Sequence, residues 1–178
     1  MKLFLAIDLP LTTKKALSEQ LQDMQEEYKV FNWVRPENLH MMIHPFGEVA
    51  DPKNIIAKIK ELLFDQSSFY LYATRLDYFM DQQITIFTDF RKEQKLISLI
   101  EVLADTFPFK ENEFITHVTV ARCRIPSKQQ YFVLKKKIER SNIDLSFQVK
   151  ELVLFESISS KKNSTYRKIT SFPLLKTP

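Results

Sequence analysis

Two of the three histidines in this 178-residue sequence lie in similar local patterns, His40 in the segment NLHMMI and His117 in the segment ITHVTV. An imidazole has an ordinary pKa near 6.5, so at neutral pH one member of a pair can be neutral while the other is charged. Such a pair can remove one proton and supply another. This chemistry suits a transphosphorylation or the hydrolysis of a cyclic phosphodiester.

Both histidine segments alternate in the manner of β-strands. With a side-chain period of two, His40 and Met42 share one face of a strand, and His117 and Thr119 share one face of another. The intervening residues are mainly apolar and are expected to face the core. The two histidines are about half of the chain apart, which suggests two related lobes that contribute one imidazole each to a shared cleft.

Two further residues near His117 could bind a phosphate group. The hydroxyl of Thr119 can donate to a non-bridging phosphate oxygen, and the Arg122 guanidinium can add a charged, bidentate contact. On a regular strand Arg122 would point to the opposite face, so a bulge or the strand end would have to turn it towards the cleft. On spacing alone, a histidine in a strand is more often structural than catalytic.

The order of the elements that must position these residues predicts an α+β fold. Strands and helices mix without strict alternation of parallel units, which favours largely antiparallel sheets. Strands are predicted at 2–8, 31–34, 39–43, 69–78, 83–88, 114–121, 145–149, 151–156 and 166–172, and helices from Thr12 with Thr12 or Thr13 as N-cap, at 55–63 and 96–107, and from Ser127. The single glycine, Gly47, excludes glycine-rich phosphate-binding loops.

Composition indicates one globular unit over residues 1–178, because 44% of the residues are hydrophobic and 27% are charged. A net charge of +4 favours polyanionic partners such as RNA. No apolar run approaches the roughly 18 residues that a membrane helix needs. The one cysteine, Cys123, cannot form an internal disulfide. We therefore expect a cytoplasmic, monomeric protein without a membrane partner.

The stretch WVRPENLH at 33–40, together with residues 114–122, resembles the bacterial RNA 2',3'-cyclic phosphodiesterases formerly called 2'-5' RNA ligases, of the two-histidine (2H) phosphoesterase superfamily. The likeness extends to LFLAIDLP at 3–10, ELVLFES at 151–157 and FPL at 172–174. It implies a bilobal α+β fold with pseudo-twofold symmetry, two antiparallel sheets, helices packed outside and a central cleft. It also implies RNA ends or nucleoside 2',3'-cyclic phosphates as substrates, without a metal or other cofactor.

The resemblance also implies roles for individual residues. His117 would activate water for attack on the cyclic phosphorus, and His40 would protonate the departing 3' oxygen to leave a 2'-phosphate. Met42 stands where the family has threonine, and losing one such donor typically costs about 3 kcal/mol, or roughly a hundredfold in rate. We therefore predict a slower enzyme, or one shifted to another phosphodiester. Phe46 is a further substrate-binding candidate for base stacking, although it is equally consistent with a core position.

Other interpretations remain open on the sequence. His44 has the parity of His40 on a regular strand but lies roughly 13 Å along it, so it is expected at the RNA backbone or in solvent. A zinc site of His40, His44 and His117 is disfavoured by this geometry and by the lack of a zinc-binding motif. A non-catalytic RNA-binding relative would explain Met42 as active-site decay. A 2H phosphodiesterase for 2',5'-linked oligonucleotides or ADP-ribose cyclic phosphate is the third alternative.

Overall fold

The chain forms two antiparallel sheets with helices packed against them, in a computed structural model that describes residues 1–108, 116–159 and 164–176. The strands are β1 (Lys2–Asp8), β2 (Asn32–Trp33), β3 (His40–Glu48), β4 (Phe69–Met80), β5 (Ile84–Phe90), β6 (His117–Cys123), β7 (Asn142–Val149), β8 (Glu151–Ser159) and β9 (Ser164–Pro173). The helices are α1 (Leu11–Gln20), α2 (Gln22–Glu27), α3 (Lys53–Leu62), α4 (Gln94–Thr106) and α5 (Lys128–Arg140). The predicted α+β class is confirmed, while the first two residues of the strand predicted at 114–121 lie outside the described residues.

Each histidine strand pairs with an earlier strand, and helices lie in the connection between the two strands. The first sheet has the order β3-β1-β8-β9, and the second has the order β2-β6-β5-β4-β7. The connection from β1 to β3 contains α1 and α2 and also β2, which joins the second sheet, whereas α4 lies between β5 and β6. In both pairs the two strands are antiparallel. The repetition of this unit agrees with the two related lobes expected from the paired motifs.

The continuous apolar run of β1 is explained by burial on both faces of the first sheet. Leu3, Leu5 and Ile7 belong to a large core cluster that contains residues from both sheets. Phe4 and Ala6 point the other way, into a smaller cluster with residues of β8. Side chains alternate across a strand, so a strand between two apolar layers needs no polar positions. The smaller cluster forms the floor beneath His40.

The first helix begins differently from the prediction. The predicted N-cap at Thr12 or Thr13 is wrong: α1 starts after Pro10, whose carbonyl accepts the first helical bond from the amide of Lys14 at 2.9 Å. Ser127 does cap α5, accepting from the amide of Gln130 in a capping box. Among the described residues, no helix combines the length and apolar character needed to cross a membrane.

Candidate active site

A cleft of about 420 Å³ lies between the two sheets and is lined by both histidines. His40 and Met42 enter it from β3, and His117, Thr119 and Arg122 enter it from β6. The structure therefore brings together five of the six residues predicted to form the site. As predicted, the alternate positions are buried, with Met41 at 0% and Val118 at 0% exposure.

His40 rests on an aromatic floor that fixes the ring. Its centroid lies 5.1 Å from that of Phe4, 6.2 Å from that of Phe155 and 4.9 Å from that of Tyr166, which it meets edge-on. The Nδ1 atom is 2.7 Å from the carbonyl oxygen of Asn38. A carbonyl can only accept, so Nδ1 carries the hydrogen and Nε2 is the nitrogen left for proton exchange.

The surroundings of His40 favour its neutral form. Burial lowers the pKa of His40 below its ordinary value of 6.5, and the cations Lys14 and Arg122 act in the same direction. The carbonyl of Asn38 and the carboxylate of Asp8 oppose this effect without reversing it. At neutral pH the imidazole of the free protein is therefore uncharged, with a lone pair on Nε2.

A buried lysine ties together the segments that hold His40. Lys14 is 6% exposed, and its Nζ donates to Asp8 Oδ1 at 2.5 Å and to the carbonyl oxygen of Glu37 at 3.2 Å. Asp8 lies directly opposite His40 in the β1–β3 pair. Glu37 belongs to the 3₁₀ turn Pro36–Asn38. The carbonyl oxygen of Asn38, the last residue of this turn, accepts a hydrogen bond from the His40 ring. Lys14 thus connects α1, β1 and the turn that orients His40.

His117 has a related environment in the second lobe. Its ring lies edge-on to Phe79 and Phe87, at centroid distances of 5.3 and 5.2 Å. Asp89 lies directly opposite His117 in the β5–β6 pair. The Asp89 carboxylate accepts from Arg75, at 2.8 Å from Nε and 2.7 Å from Nη2. In each lobe, then, an aspartate held by a cation lies across from the histidine.

These two aspartates and their cations were not predicted from the sequence. The available signal was a single acidic residue near the end of an apolar strand, in AIDLP at 6–10 and in FTDF at 87–90. Nothing in those segments reports that each residue pairs with a histidine strand. The pairing register became visible only in the folded sheets.

A bulge in β6 turns Arg122 towards the cleft. Ile86 pairs with Ala121 and Phe87 pairs with Thr119, so Val120 is an extra residue on β6. Both Val120 and Ala121 are buried, which reverses the alternation beyond them. This is the irregularity that the sequence required if Arg122 was to share a face with His117 and Thr119.

A second bulge, in β3, overturns the prediction for His44. Leu5 pairs with His44 and Ala6 pairs with Met42, so Ile43 is the extra residue and His44 turns to the core face. His44 is 6% exposed, and its ring centroid lies 4.9 Å from that of Phe46. Burial lowers the pKa of His44. His44 therefore faces neither solvent nor RNA.

The bulge at Ile43 also bears on two other hypotheses for β3, a substrate-binding role for Phe46 and a zinc site. Phe46 packs edge-on against Phe107 at 5.1 Å, on the core side, and is absent from the cleft lining, so the predicted substrate-binding role for Phe46 is not supported. A zinc site of His40, His44 and His117 is inconsistent with His44 on the opposite face of the strand. Within the described residues, no cluster of histidine, cysteine, aspartate and glutamate could hold a metal ion.

Comparisons with known proteins agree with this architecture. The family model described as "2'-5' RNA ligase superfamily" matches residues 13–160. An RNA 2',3'-cyclic phosphodiesterase of Methanocaldococcus jannaschii is 28% identical over 95% of this chain and 98% of its own. Another of the same name, from Thermotoga maritima, is 27% identical over 70% of this chain and 71% of its own.

Solved structures show the same fold over nearly the whole length. A crystal structure from Thermus thermophilus superposes with a TM-score of 0.79 at 22% identity, covering 98% of each chain. The apo form of E. coli LigT superposes with a TM-score of 0.73 at 20% identity, covering 98% of this chain and 97% of its own. At these identities the likeness establishes the two-sheet fold.

Proposed function

The chain belongs to the 2'-5' RNA ligase superfamily, and we propose that it hydrolyses the terminal 2',3'-cyclic phosphate of RNA to a 2'-phosphate. The names of the two curated relatives support this activity. The observation that carries the proposal is that His40 and His117, from different sheets, line one cleft beside Thr119 and Arg122. This combination provides proton acceptor, proton donor and phosphate contacts without further groups.

The proposed reaction uses each residue once. His117 removes a proton from water, which attacks the cyclic phosphorus, and the bond from phosphorus to the 3' oxygen breaks. His40 donates a proton from Nε2 to that oxygen. The Arg122 guanidinium offsets the phosphate charge, and the Thr119 hydroxyl donates to a non-bridging oxygen. The products are a free 3' hydroxyl and a 2'-phosphate.

This division of labour requires His40 to be protonated when the substrate is bound. The free protein favours the neutral imidazole because burial lowers the pKa of His40. A phosphodiester anion next to Nε2 stabilises the imidazolium and raises that pKa. His40 would thus become protonated only in the substrate complex, where it acts as the acid. The Asn38 carbonyl keeps the ring in one orientation.

No metal ion takes part in the proposed reaction, because the two imidazoles handle both proton transfers and Arg122 supplies the cationic charge. The alternative of a different phosphodiester is favoured by one observation: Met42, which is 45% exposed, lies at the cleft where the family pattern has a hydroxyl. A 2',5'-linked oligonucleotide therefore belongs in any substrate panel.

The test is product analysis with a short RNA ending in a 2',3'-cyclic phosphate, in the presence of EDTA. The parent should release 2'-phosphate, and His40→Ala and His117→Ala should each lose roughly 10²- to 10⁴-fold in turnover. His44→Phe is the matched control, since it removes the third histidine from the core face and should retain activity. Activity abolished by EDTA would contradict metal independence, and binding without turnover would favour the non-catalytic relative.

A further inference from the structure

Two tyrosines lie exposed in the middle of the second sheet. Tyr70 and Tyr72 of β4 are 51% and 44% exposed, and their rings are inclined by 26°, with centroids 6.3 Å apart. Strand β4 is internal, because it pairs with β5 on one side and β7 on the other. The backbone of β4 is therefore hydrogen-bonded on both sides within the sheet. A partner could contact this region through the exposed faces of the two tyrosine rings.

The tyrosine pair lies on the face of the sheet that carries His117. Directly paired residues share a face, and His117 pairs with Asp89, which pairs with Arg75 of β4. Thr74 is an extra residue between Arg75 and Ala73, so Ala73 lies on the opposite face, where it pairs with Phe90 and both are buried. Side chains alternate, so the neighbours Tyr72 and, two residues earlier, Tyr70 return to the face of His117.

The separation suits a polymer longer than one nucleotide. Arg75 is two strands from His117, which is about 10 Å. Thr74 is an extra residue on β4, so Tyr72 lies two pairing positions beyond Arg75, another 7 Å or so, for a total of roughly 12 Å. A single nucleoside cyclic phosphate held at the histidines would not reach the tyrosines. The nucleotides that precede the cyclic phosphate end of an RNA chain would reach them.

A cation accompanies the rings. Arg91 follows β5, is exposed, and donates its backbone N–H to the Tyr72 carbonyl at 2.8 Å. Continued alternation from Asp89 places its side chain on the same face. Arg75, by contrast, is already held by Asp89 and Asp77. Arg91 is thus the cation positioned to meet a phosphate beside the tyrosines.

We propose that Tyr70 and Tyr72, with Arg91, form a stacking platform for the bases that precede the cyclic phosphate end of an RNA substrate. The inference rests on the proposed function and extends it from the terminal nucleotide to the body of the RNA. Exposed aromatic rings on a sheet face bind single-stranded RNA by stacking, which tolerates any base. An adjacent arginine adds a phosphate contact that salt would weaken.

The experiment compares two substrates on the double variant Tyr70→Ala/Tyr72→Ala. One is a nucleoside 2',3'-cyclic phosphate, and the other is an RNA of about six nucleotides with the same end. For the RNA, KM should rise about tenfold or more, the size expected for losing one stacked base. For the mononucleotide, kcat and KM should stay within about twofold. Phe64→Ala, at an exposed ring outside this face (83%), is the matched control and should change neither substrate.

An equal rise in KM for both substrates, or no change in KM for the RNA, would overturn the proposal. So would a parent that sediments as a dimer and a variant that sediments as a monomer, since the tyrosines would then be covered by a second copy. Failure of the proposed function is seen separately, as a parent that hydrolyses neither substrate. In that case fluorescence anisotropy with the RNA still tests the platform: loss of binding in the double variant alone supports it, and equal binding overturns it.

Discussion

At the scale of single residues, each of the two imidazoles lies against aromatic rings of its own sheet. His40 sits on Phe4 and Phe155 with Nδ1 fixed by a backbone carbonyl, and burial lowers its pKa. His117 lies edge-on to two phenylalanines of the other sheet. Apolar surroundings strengthen the effect of any charge that enters, so a phosphate anion bound at His40 would have a large influence on the protonation of that ring.

Met42 is the residue at which a substitution should improve the enzyme. Met42→Thr restores a hydroxyl next to His40, and we expect kcat/KM for a 2',3'-cyclic phosphate to rise, by up to roughly a hundredfold. Met80→Thr is the control, because Met80 is also exposed, at 52%, but does not line the cleft. Steady-state kinetics of the two variants decide the matter. An inert Met42→Thr protein would favour the non-catalytic relative.

The pH profile should reveal how His40 is charged. As a general acid His40 must be protonated, so activity falls as pH rises through its pKa. In the free protein that pKa is below 6.5, which places the basic limb of kcat/KM below about 6.5. In the substrate complex the anion raises the pKa, so the basic limb of kcat should lie at higher pH. Coincident limbs would argue that substrate binding does not charge His40.

At the scale of elements, bulges determine which side chains reach the cleft. The first extra residue after each motif is Ile43 in β3 and Val120 in β6, and β3 has a second one at Phe46. The bulge at Ile43 sends His44 to the core, and the bulge at Val120 brings Arg122 to the cleft. An extra residue reverses all subsequent alternation, which is why two strands with similar sequences present different partners beyond the histidine.

Helix α1 should influence catalysis through Lys14. Lys14→Met removes the bond to the Glu37 carbonyl, so the turn that holds Asn38 loosens and kcat/KM should fall about tenfold or more. Removing the cation also raises the pKa of His40, because Lys14 lowers it. The basic limb of kcat/KM should therefore move to higher pH.

Lys15→Met is the control for this prediction, since the neighbouring Lys15 side chain is 79% exposed and pairs with Glu19 one turn away. Such an exposed pair contributes little. If Lys14→Met lowered thermal stability but left the pH profile in place, Lys14 would be a structural residue and not a positioning one.

At the scale of the whole molecule, the cleft exists because two sheets face each other across it and share one core. Each sheet supplies one of the two imidazoles that line the cleft. The net charge of +4 favours association of the whole protein with polyanions. Under the proposed function, encounter with RNA would therefore depend on the entire chain, whereas the chemistry would depend on a few residues.

Salt should separate these two contributions. Between about 50 and 200 mM NaCl, kcat/KM for an RNA of several nucleotides should fall steeply, because each neutralised phosphate releases counterions. A nucleoside 2',3'-cyclic phosphate carries one charge and should show a shallower decline. The measurement is the slope of log kcat/KM against log salt for both substrates. Equal slopes would exclude contacts to the RNA body.

The amino-acid sequence determined the strand character of both histidine segments, the faces of His40, Met42, His117 and Thr119, and the family, because alternation and collinear motifs are local properties of the chain. It could not determine the burial of His44 and Phe46, the turn of Arg122, or the aspartates opposite each histidine. Those depend on bulges and pairing register, which are set by how two strands fit together. Only the tertiary structure decided them, since the energy of a bulge lies in contacts between segments distant in sequence.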